Sequence, residues 1–423
     1  MNKKLKKNVP VLRFPDFSGS WLIKSVSELV TENLIYKPLD GNHGNLHPTS
    51  FDYVKSGIPF VMSNDIQNGV INYSKCHYIS ENLAKSLQKG FSKEGDVLLT
   101  HKGTVGEVAI VGKTPFPFIM LTPQVTYYRV KNPQLLSNLY LVSFFTSYNF
   151  QKMLKVLAAG GTRPYIGITE QGKLNISIPS VKEQEKIASF LGAIDTRLTQ
   201  LRRKHELLQT YKRGVMQKLF SQQIRFKGDD GKPFPDWQKK KLGEIASRQV
   251  KKNLDESITR VLTNSAVQGV IDQQDYFDKD IANADNLAGY YIIEKGDYVY
   301  NPRISTSAPV GPIHKNKIGL GVMSPLYTVF RFKTKEDAFY EQLFKTSVWH
   351  KYMCSVANYG ARYDRMNITT SDFMALPLPY PISEEQEKIV DFVTAIDQKI
   401  QAIAQQIALT EQYKKGLLQK MFV

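Results

Sequence analysis

The pentapeptide EQEKI occurs twice in this chain, at residues 183–187 and at residues 385–389. It is part of a longer repeat, because residues 178–220 align without a gap onto residues 380–422, with 17 identities in 43 positions. The blocks that precede the two copies match each other more loosely. A repeat spacing of about 200 residues is far longer than a solenoid unit. We therefore interpret the chain as two duplicated domains.

Both copies of the repeat are predicted to be long helices that pair with each other. Apolar residues recur every seven positions, as is typical of a helix that packs along a partner in a coiled coil. Neither helix can bury its apolar row alone, so we expect an antiparallel pair. The spacings Ser180-x-x-Glu183 and Ser383-x-x-Gln386 are those of a capping box and predict the two helix starts. The main row consists of Ile187, Ile194, Leu201, Leu208 and Val215 in the first copy and Ile389, Ile396, Ile403, Thr410 and Leu417 in the second, and the second row of Leu191, Leu198, Val393, Ile400 and Ile407.

The two blocks before the helices are predicted to be mixed α/β domains with short strands. Asn68-Gly69 is a hairpin signal, and residues 135–156 and 338–356 are predicted to be helices. The predicted fold class is therefore α+β, with two mixed α/β domains, each followed by a long helix. The expected boundaries are 1–179 for the first domain, 180–221 for the central helix, 222–381 for the second domain and 382–423 for the C-terminal helix.

The charge of the chain favours an anionic partner. Lysine and arginine number 56 against 39 aspartates and glutamates, which gives a formal net charge of +17. Such a field favours polyanions, nucleic acid first, although a charge of this size can also serve solubility alone. Residues 1–220 carry 29 basic and 15 acidic residues (+14), whereas residues 221–423 carry 27 and 24 (+3). The two blocks thus share a plan and present different surfaces.

Composition excludes several classes of protein. Because 42% of its residues are hydrophobic, the chain can form hydrophobic cores, and it is not expected to be intrinsically disordered throughout. Its two cysteines, Cys76 and Cys354, are too few for a disulfide framework or a cysteine-based zinc site, and we expect a reduced, cytoplasmic protein. No run reaches the ~18 apolar residues of a membrane span.

The sequence carries no catalytic motif that we can identify. It has neither the phosphate-binding pattern G-x-x-x-x-G-K-[ST] nor the dinucleotide-binding pattern G-x-G-x-x-G. The string Asn301-Pro302-Arg303 lacks the second proline and the aromatic residue of an amino-methyltransferase motif, and His205 has no second histidine at zinc-binding spacing. We therefore expect no catalytic residue, no metal site and no cofactor in this chain.

Loops rich in Gly, Thr, Lys and Arg occur at matching places in the two blocks. Glycine lets a backbone approach a ligand closely, and arginine and asparagine side chains read guanine and adenine in the major groove. Each residue taken singly can also be an ordinary solvated loop residue. The candidate DNA-binding residues are Asn64, Lys102, Thr104, Arg163 and Tyr165 in the first block and Asn264, Arg303, Thr306, Arg362, Tyr363 and Arg365 in the second, with Arg163, Arg303 and Arg362 as the leading candidates for base contacts.

The repeated helices carry a recognisable family signature. Each opens with Pro-x-x-x-E-Q-E-K-I and closes with Tyr-Lys-x-Gly, then Gln-Lys-x-Phe. Two variable blocks, each followed by such a helix, resemble the specificity subunit of a type I restriction–modification enzyme. The run from Gly160 to Pro179 is also similar to the stretch that leads out of that family's first recognition domain. The resemblance covers nearly the whole chain.

The resemblance implies a non-catalytic subunit that recognises a specific DNA sequence. The two blocks would be target recognition domains, each of which reads one half of an asymmetric, split site on double-stranded DNA. The paired helices would set the spacing between the half-sites and dock two methyltransferase (modification) subunits, which restriction and translocase subunits would join. S-adenosylmethionine, ATP and Mg²⁺ would then belong to those partners.

Residues that are identical in both helices are candidates for a partner that binds twice, although a recent duplication would also keep them equal. The candidate docking residues are Tyr211, Lys212, Gln217, Lys218 and Phe220 in the first helix and Tyr413, Lys414, Gln419, Lys420 and Phe422 in the second. The competing hypothesis is a coiled-coil scaffold whose end domains bind proteins and which has no specific DNA recognition. A self-contained nuclease or methyltransferase is disfavoured by the motif search.

Overall fold

The computed structural model describes residues 8–159, 164–276, 287–334, 337–358 and 364–423. The chain divides into two compact units. The first comprises Met1–Arg202 and Gln405–Val423, and the second comprises Arg203–Ala404. Each unit therefore combines one α/β block with one segment from each of the two sequence repeats.

The first block contains short strands and short helices and leads into a long helix. Its strands are β1 (Leu22–Ser25), β2 (Tyr53–Val54), β3 (Ile58–Val61), β4 (Ile66–Gln67), β5 (Val70–Ile71), β6 (His77–Ile79), β7 (Phe91–Ser92), β8 (Val97–Lys102), β9 (Thr104–Ile110), β10 (Ile119–Leu121), β11 (Val125–Tyr128) and β12 (Asn175–Ile178). Its helices are α1 (Val26–Thr31), α2 (Glu81–Ser86), α3 (Asn138–Phe145), α4 (Tyr148–Ala158) and α5 (Ile168–Gln171), followed by the long helix α6 (Val181–Phe220).

The second block has a similar order of strands and helices and leads into the second long helix. Its strands are β13 (Gln238–Lys241), β14 (Ala246–Arg248), β15 (Leu262–Ser265), β16 (Gly269–Asp272), β17 (Tyr291–Ile293), β18 (Tyr298–Tyr300), β19 (Ile313–Lys315), β20 (Gly321–Met323), β21 (Thr328–Phe332) and β22 (Pro377–Tyr380). Its helices are α7 (Leu242–Ile245), α8 (Gln273–Tyr276), α9 (Ala338–Leu343), α10 (His350–Val356) and α11 (Thr370–Met374), followed by α12 (Ser383–Lys420).

The strands of each block are arranged in several small sheets. In the first block one sheet has the order β2-β6-β3-β10-β7 and another the order β11-β8-β9, while in the second block one sheet has the order β14-β21-β18-β19. The predicted hairpin at Asn68-Gly69 is confirmed, because both residues have positive φ and Gln67 pairs with Val70. Two successive positive φ values are what a tight two-residue hairpin turn requires.

The first and last strands of each block pair with each other. β1 is antiparallel to β12, with Leu22 opposite Ile178, and β13 is antiparallel to β22, with Gln238 opposite Tyr380. The strand that enters a block is thereby held against the strand that leads into the long helix.

The long helices pack together in antiparallel fashion, as predicted. In the first unit Lys414 forms an ion pair with Asp195, and Arg202 forms one with Glu411. Residue numbers therefore rise along α6 while they fall along α12. In the second unit Lys212 and Asp397 form an ion pair at 2.6 Å. Every residue of the predicted apolar rows is buried or half-buried.

Each unit's core extends from its block onto both helices. In the first unit it includes Ile187 and Leu191 of α6, together with Leu417, Met421 and Phe422 of α12. In the second unit the core includes Met216 and Phe220 of α6 and Ile389 and Val393 of α12. The end of one helix and the start of the other thus complete the core of each unit.

An arginine in each entry segment clamps the buried glutamate at the start of the following helix. The Nε and Nη2 groups of Arg13 donate to the two carboxylate oxygens of Glu183, both at 2.7 Å. Arg225 makes the same bidentate contact with Glu385 at 3.0 and 2.8 Å. These hydrogen bonds raise the pKa of both guanidinium groups. Paired, hydrogen-bonded geometry of this kind offsets the cost of burying a carboxylate.

Some predictions of local structure need correction. Ser383 is the first residue of α12, so the predicted helix start is confirmed, but the capping box is not formed, because the Gln386 side chain donates to the carbonyl oxygen of Pro381 at 2.8 Å. The range 135–156 is not one helix either. It breaks between α3 and α4, because Ser147 is extended and its hydroxyl accepts a hydrogen bond from the backbone N–H of Phe150.

The range 338–356 is also divided, here into α9 and α10. The segment between them buries the aromatic rings of Phe344 and Trp349, which meet edge to face at 5.8 Å. Capping by a serine and burial of aromatic rings therefore override the helical tendency of these two stretches.

We predict that Phe422→Ala destabilises the first unit by about 3–5 kcal/mol, because the buried ring packs on Trp21, Tyr140 and Phe144 and its loss leaves a cavity. Thermal and urea unfolding followed by circular dichroism would measure the change. The matched control is Leu139→Ala, since that side chain is 53% exposed on α3. If the two substitutions lowered the stability equally, the role assigned to Phe422 in the core of the first unit would be contradicted.

Candidate nucleic-acid interface

In the first unit, the turn between β8 and β9 meets the segment that leads to α5. Gly103 forms the tip of this turn with φ of 80°, a conformation that glycine adopts without strain. Lys102 pairs with Tyr165 in an antiparallel bridge, and the Lys102 ammonium lies 5.8 Å from the centre of the Tyr165 ring. Both side chains are exposed. They present a cation and an aromatic face side by side.

The buried side chain of His101 holds this junction in place. The backbone N–H of Ile166 donates to the carbonyl oxygen of His101 at 3.0 Å, and the Ile166 carbonyl lies 2.9 Å from Nδ1 of the His101 ring. Burial lowers the pKa of His101, which favours the neutral ring. In that form an Nδ1–H donor satisfies the Ile166 carbonyl. His101 therefore positions Lys102 and Tyr165 and is itself inaccessible to a ligand.

Asn64 lies next to the same turn. It is exposed on the short turn of residues 63–65, and Ser63 is held by Gln124, whose Oε1 accepts from the Ser63 hydroxyl at 3.0 Å. A Cβ atom on Gly103 would lie only 3.6 Å from that hydroxyl oxygen. The structure therefore brings Asn64 together with the turn that carries Lys102 and Thr104.

The second unit has an arginine pair at the corresponding place. Arg303 and Arg365 pair in an antiparallel bridge, which the hydrogen bond from the Ile304 N–H to the Asp364 carbonyl supports at 3.0 Å. The Asp364 carboxylate lies 3.6 Å from the Arg303 guanidinium and 3.8 Å from that of Arg365. Arg303 and Asp364 are exposed and Arg365 is half-buried, and solvent-accessible ion pairs of this length are weak. Donor groups on both arginines are therefore available to a ligand.

Asn301 and Gly311 hold the Arg303 loop in place. Oδ1 of Asn301 accepts from the Arg303 backbone N–H at 3.0 Å, and its Nδ2 donates to the Asn264 carbonyl at 2.9 Å. Gly311 has φ of 79°, and a Cβ there would lie 2.1 Å from the Asn301 carbonyl oxygen, so no larger residue fits. Thr306, also predicted to bind DNA, is exposed on the following turn.

The choice of Asn264 as a DNA-binding residue needs correction. Its side chain is 1% exposed within β15. Its Nδ2 donates to the carbonyl oxygens of Val299 and Pro312, and its Oδ1 lies 2.7 Å from Nδ1 of His314. These partners leave no edge free for a base. Asn264 matches Asn64 in sequence at an offset of 200 residues, but the two side chains lie in different environments, one buried and the other exposed.

Three further candidates, Arg163, Arg362 and Tyr363, lie outside the described residues. The others fall into two groups, one in each unit: Asn64, Lys102, Thr104 and Tyr165 in the first, and Arg303, Thr306 and Arg365 in the second.

A cleft that the sequence did not predict opens beside the arginine pair. Its volume is about 170 Å³, and its walls include Leu326, Tyr327 and residues 263–266 and 301–305. The Tyr327 and Thr263 hydroxyls are 3.0 Å apart. These residues come from segments that are far apart in sequence, so no local spacing could have revealed the cleft.

The predicted docking residues separate into internal and exposed sets. Phe220 and Phe422 belong to the two cores, and Lys212 and Lys414 form the ion pairs between the helices, so these four stabilise the chain itself. Gln217 is exposed and accepts a hydrogen bond from the Ser347 hydroxyl at 3.1 Å. The remaining residues, Tyr211, Lys218, Tyr413, Gln419 and Lys420, are exposed.

Within the described ranges, no helix is long and apolar enough to cross a membrane. The same part of the chain contains no group of three or more His, Cys, Asp or Glu side chains that could hold a metal ion.

Two curated proteins of Methanocaldococcus jannaschii are similar to nearly all of this chain. The putative type I restriction enzyme MjaX specificity subunit is 24% identical over 391 residues, with 86% of each chain covered. The type I restriction enzyme MjaVIII specificity subunit is 23% identical over 384 residues, with 86% of this chain and 88% of the relative covered.

Solved structures show the same fold at low sequence identity. The S subunit of a type I restriction–modification system from M. genitalium matches with a TM-score of 0.53 at 16% identity, over 98% of this chain and 99% of that chain. A chain from a structural study of complex assembly and conformational transition of the type I restriction–modification system matches with a TM-score of 0.55 at 15% identity, over 94% and 96%.

The family model agrees with the duplicated architecture. The model described as the type I restriction modification DNA specificity domain matches twice, at residues 42–209 and at residues 235–412. These ranges contain both exposed clusters and most of both long helices. With more than half of its length matched, the chain belongs to the specificity-subunit family of type I restriction–modification systems.

Proposed function

We propose that this chain is a non-catalytic DNA-reading subunit that recognises an asymmetric, bipartite site on double-stranded DNA. In this role it docks methyltransferase and restriction subunits, which perform the chemistry. One unit reads each half-site.

One observation carries the proposal. At the same place in both units, two loops that are distant in sequence are joined by a backbone bridge. The bridge presents the exposed side chains of Lys102 and Tyr165 in one unit, and the exposed Arg303 with the half-buried Arg365 in the other. Side chains anchored on bridged backbones are held at a defined separation. Such preorganisation suits base-edge contacts, which require a fixed register on the duplex.

The difference between the two clusters supports an asymmetric target. The paired arginines of the second unit offer planar donor groups, and arginine commonly contacts the O6 and N7 atoms of guanine. The first unit offers an ammonium group, an aromatic face and the amide of Asn64 instead. Two sets with different hydrogen-bonding capacity favour different bases.

Non-specific affinity would come mainly from the first half of the chain, whose net charge is +14 against +3 for the second. Lysine and arginine side chains facing phosphates release counterions, so binding should weaken steeply as salt rises. Salt titration also separates this proposal from a protein-binding scaffold, which would form no specific DNA complex.

The chemistry of modification and cleavage belongs to the partners in this proposal. S-adenosylmethionine would be bound by two methyltransferase subunits, and ATP and Mg²⁺ by restriction and translocase subunits. The family relationship supports this division of labour.

We predict that Arg303→Ala weakens binding to the cognate site by about 1–3 kcal/mol and relaxes the preference at one base pair, because a bidentate guanine contact is lost. Selection from a randomised DNA library, with binding measured at fixed salt, would show both effects. The matched control is Lys295→Ala, which removes one exposed charge from a turn outside the cleft. If Arg303→Ala weakened all sequences equally, Arg303 would contact a phosphate.

A second prediction concerns the unread spacer between the half-sites. α6 and α12 each run without a break over 40 and 38 residues. At ~1.5 Å per residue, seven residues inserted in the middle of both helices add about 10 Å, which corresponds to about three base pairs of B-form DNA. We expect the spacer to lengthen by that amount.

Genome-wide mapping of N6-methyladenine, in cells that contain the methyltransferase subunit, would measure the spacer. The control inserts seven residues after Gly231, in an exposed turn outside both helices. An unchanged spacer in the helix-insertion variant would show that the length of the helices does not set the distance between the half-sites.

A further inference from the structure

A second cavity of the second unit lies between α6 and the loop that follows Arg303. Its volume is about 500 Å³, which is the size of a small-molecule site, and it shares only Ala266 with the cleft beside the arginine pair. Among the described residues that line it, Lys212, Arg213, Lys345 and two histidines are basic, and none is an aspartate or a glutamate. Such a lining is complementary to an anion.

Lys345 carries a positive charge that this chain neutralises only in part. Its ammonium lies 3.5 Å from the Glu341 carboxylate, which Lys317 holds more closely at 2.6 Å. The nearer acceptor of Lys345 is the neutral amide oxygen of Gln342, at 3.1 Å. Partial burial lowers the pKa of Lys345, and the positive charges of Lys212 and Lys317 lower it further. An anion beside this ammonium would therefore stabilise its charged form.

Arg213 contributes a second positive charge to the lining. In the part of the chain that the structure describes, Arg213 forms no ion pair, and its guanidinium donates to the Thr210 hydroxyl at 3.1 Å. Lys212, by contrast, donates to both carboxylate oxygens of Asp397, at 2.6 and 2.7 Å. Of the three fully charged side chains in the lining, one is thus neutralised, which leaves the two positive charges of Lys345 and Arg213.

Neutral hydrogen-bonding groups complete the lining. Nδ1 of His314 lies 2.7 Å from Oδ1 of Asn264, whose Nδ2 already donates to two backbone carbonyls. The ring proton therefore lies on Nδ1, and because burial lowers the pKa of His314, its Nε2 is left as an acceptor. Oε1 of Gln217 accepts from the Ser347 hydroxyl at 3.1 Å, so the Nε2 group of this amide is a donor. The cavity thus offers a donor and an acceptor together with its cations.

A phosphate monoester matches these groups better than a phosphate of the DNA backbone does. A monoester carries a charge of about −1.5 to −2 at pH 7 and three strong acceptor oxygens, which suit the charges of Lys345 and Arg213. When it is singly protonated, its hydroxyl can also donate to Nε2 of His314. A backbone phosphate carries a single negative charge and no such hydroxyl. The buried side chains of Met216 and Ile313 add an apolar wall for the organic part of a ligand.

We propose that this cavity binds a small phosphorylated ligand, with its phosphate beside Lys345 and Arg213 and its organic part against the apolar wall. The site goes beyond the proposed function, because none of these groups is needed there to read DNA. A ligand in the cavity contacts both α6 and residues 307–314, which continue the loop that carries Arg303. It thereby ties that loop to the helix.

The test measures the binding of inorganic phosphate to the full-length chain by isothermal titration calorimetry at constant salt. We expect saturable binding by the wild-type chain. Lys345→Gln should weaken this binding roughly tenfold or more, because a hydrogen bond to a charged group is lost. The variant should keep its thermal midpoint, since glutamine retains a hydrogen-bonding group and removes a charge that the chain neutralises only in part.

The matched control is Lys351→Gln, which removes the same charge from an exposed position of α10 that does not line the cavity. This control should bind phosphate as the wild-type chain does. Arg213→Gln is a second probe of the cavity and should also weaken binding, and the variant with both Lys345→Gln and Arg213→Gln should show no saturable binding. Equal weakening by Lys345→Gln and Lys351→Gln would show that phosphate responds only to net charge, and would overturn the site.

DNA binding by the same variants distinguishes a free phosphate monoester from the DNA backbone. We expect Lys345→Gln to bind the cognate site with the same dependence on salt as the wild-type chain. A salt slope reduced by about one unit would show that a backbone phosphate occupies the cavity, contrary to our inference. A wild-type chain without saturable phosphate binding would also overturn the site, whereas specific DNA binding by that chain would leave the proposed function standing.

Discussion

The structure depends on one constraint, which is that neither long helix can leave its apolar row in water. Antiparallel pairing buries the rows, and the pairing also brings the end of one helix beside the start of the other. Leu417 and Phe422 can therefore enter the same core as Ile187, while Phe220 enters the same core as Ile389. The helix pair is part of both domain cores as well as a connection.

The paired arginine–glutamate clamps add a directional element to this hydrophobic packing. Burial of Glu183 and Glu385 would be costly for a lone carboxylate. The bidentate contacts with Arg13 and Arg225 offset the free-energy cost of burying these carboxylates. They also fix the segment that precedes each block to a particular point on the following helix. With the entry and exit strands also paired, each block presents its loops from a fixed base.

The features that could be predicted from the sequence are those that an internal repeat and a regular spacing of apolar residues encode. The two blocks followed from the internal repeat, and the long helices and their buried rows followed from the seven-residue spacing of apolar residues. Asn264 was misjudged because identity at a matched position says nothing about burial. The cleft near Arg303 was missed because its walls come from segments that are far apart in sequence. Lys212 and Phe220 were assigned to a partner because they recur in both copies, yet recurrence preserves internal contacts as readily as external ones.

The division of the chain has a consequence for its synthesis. The second unit is continuous in sequence, from residue 203 to residue 404, so all of its core is synthesised before residues 405–423. The first unit needs Leu417, Met421 and Phe422, which are made only after the whole of the second unit. Domains generally fold as units during synthesis. Of the two blocks, the one made first therefore closes its core second, and until residues 417–422 are made it exposes the apolar surface that they will cover.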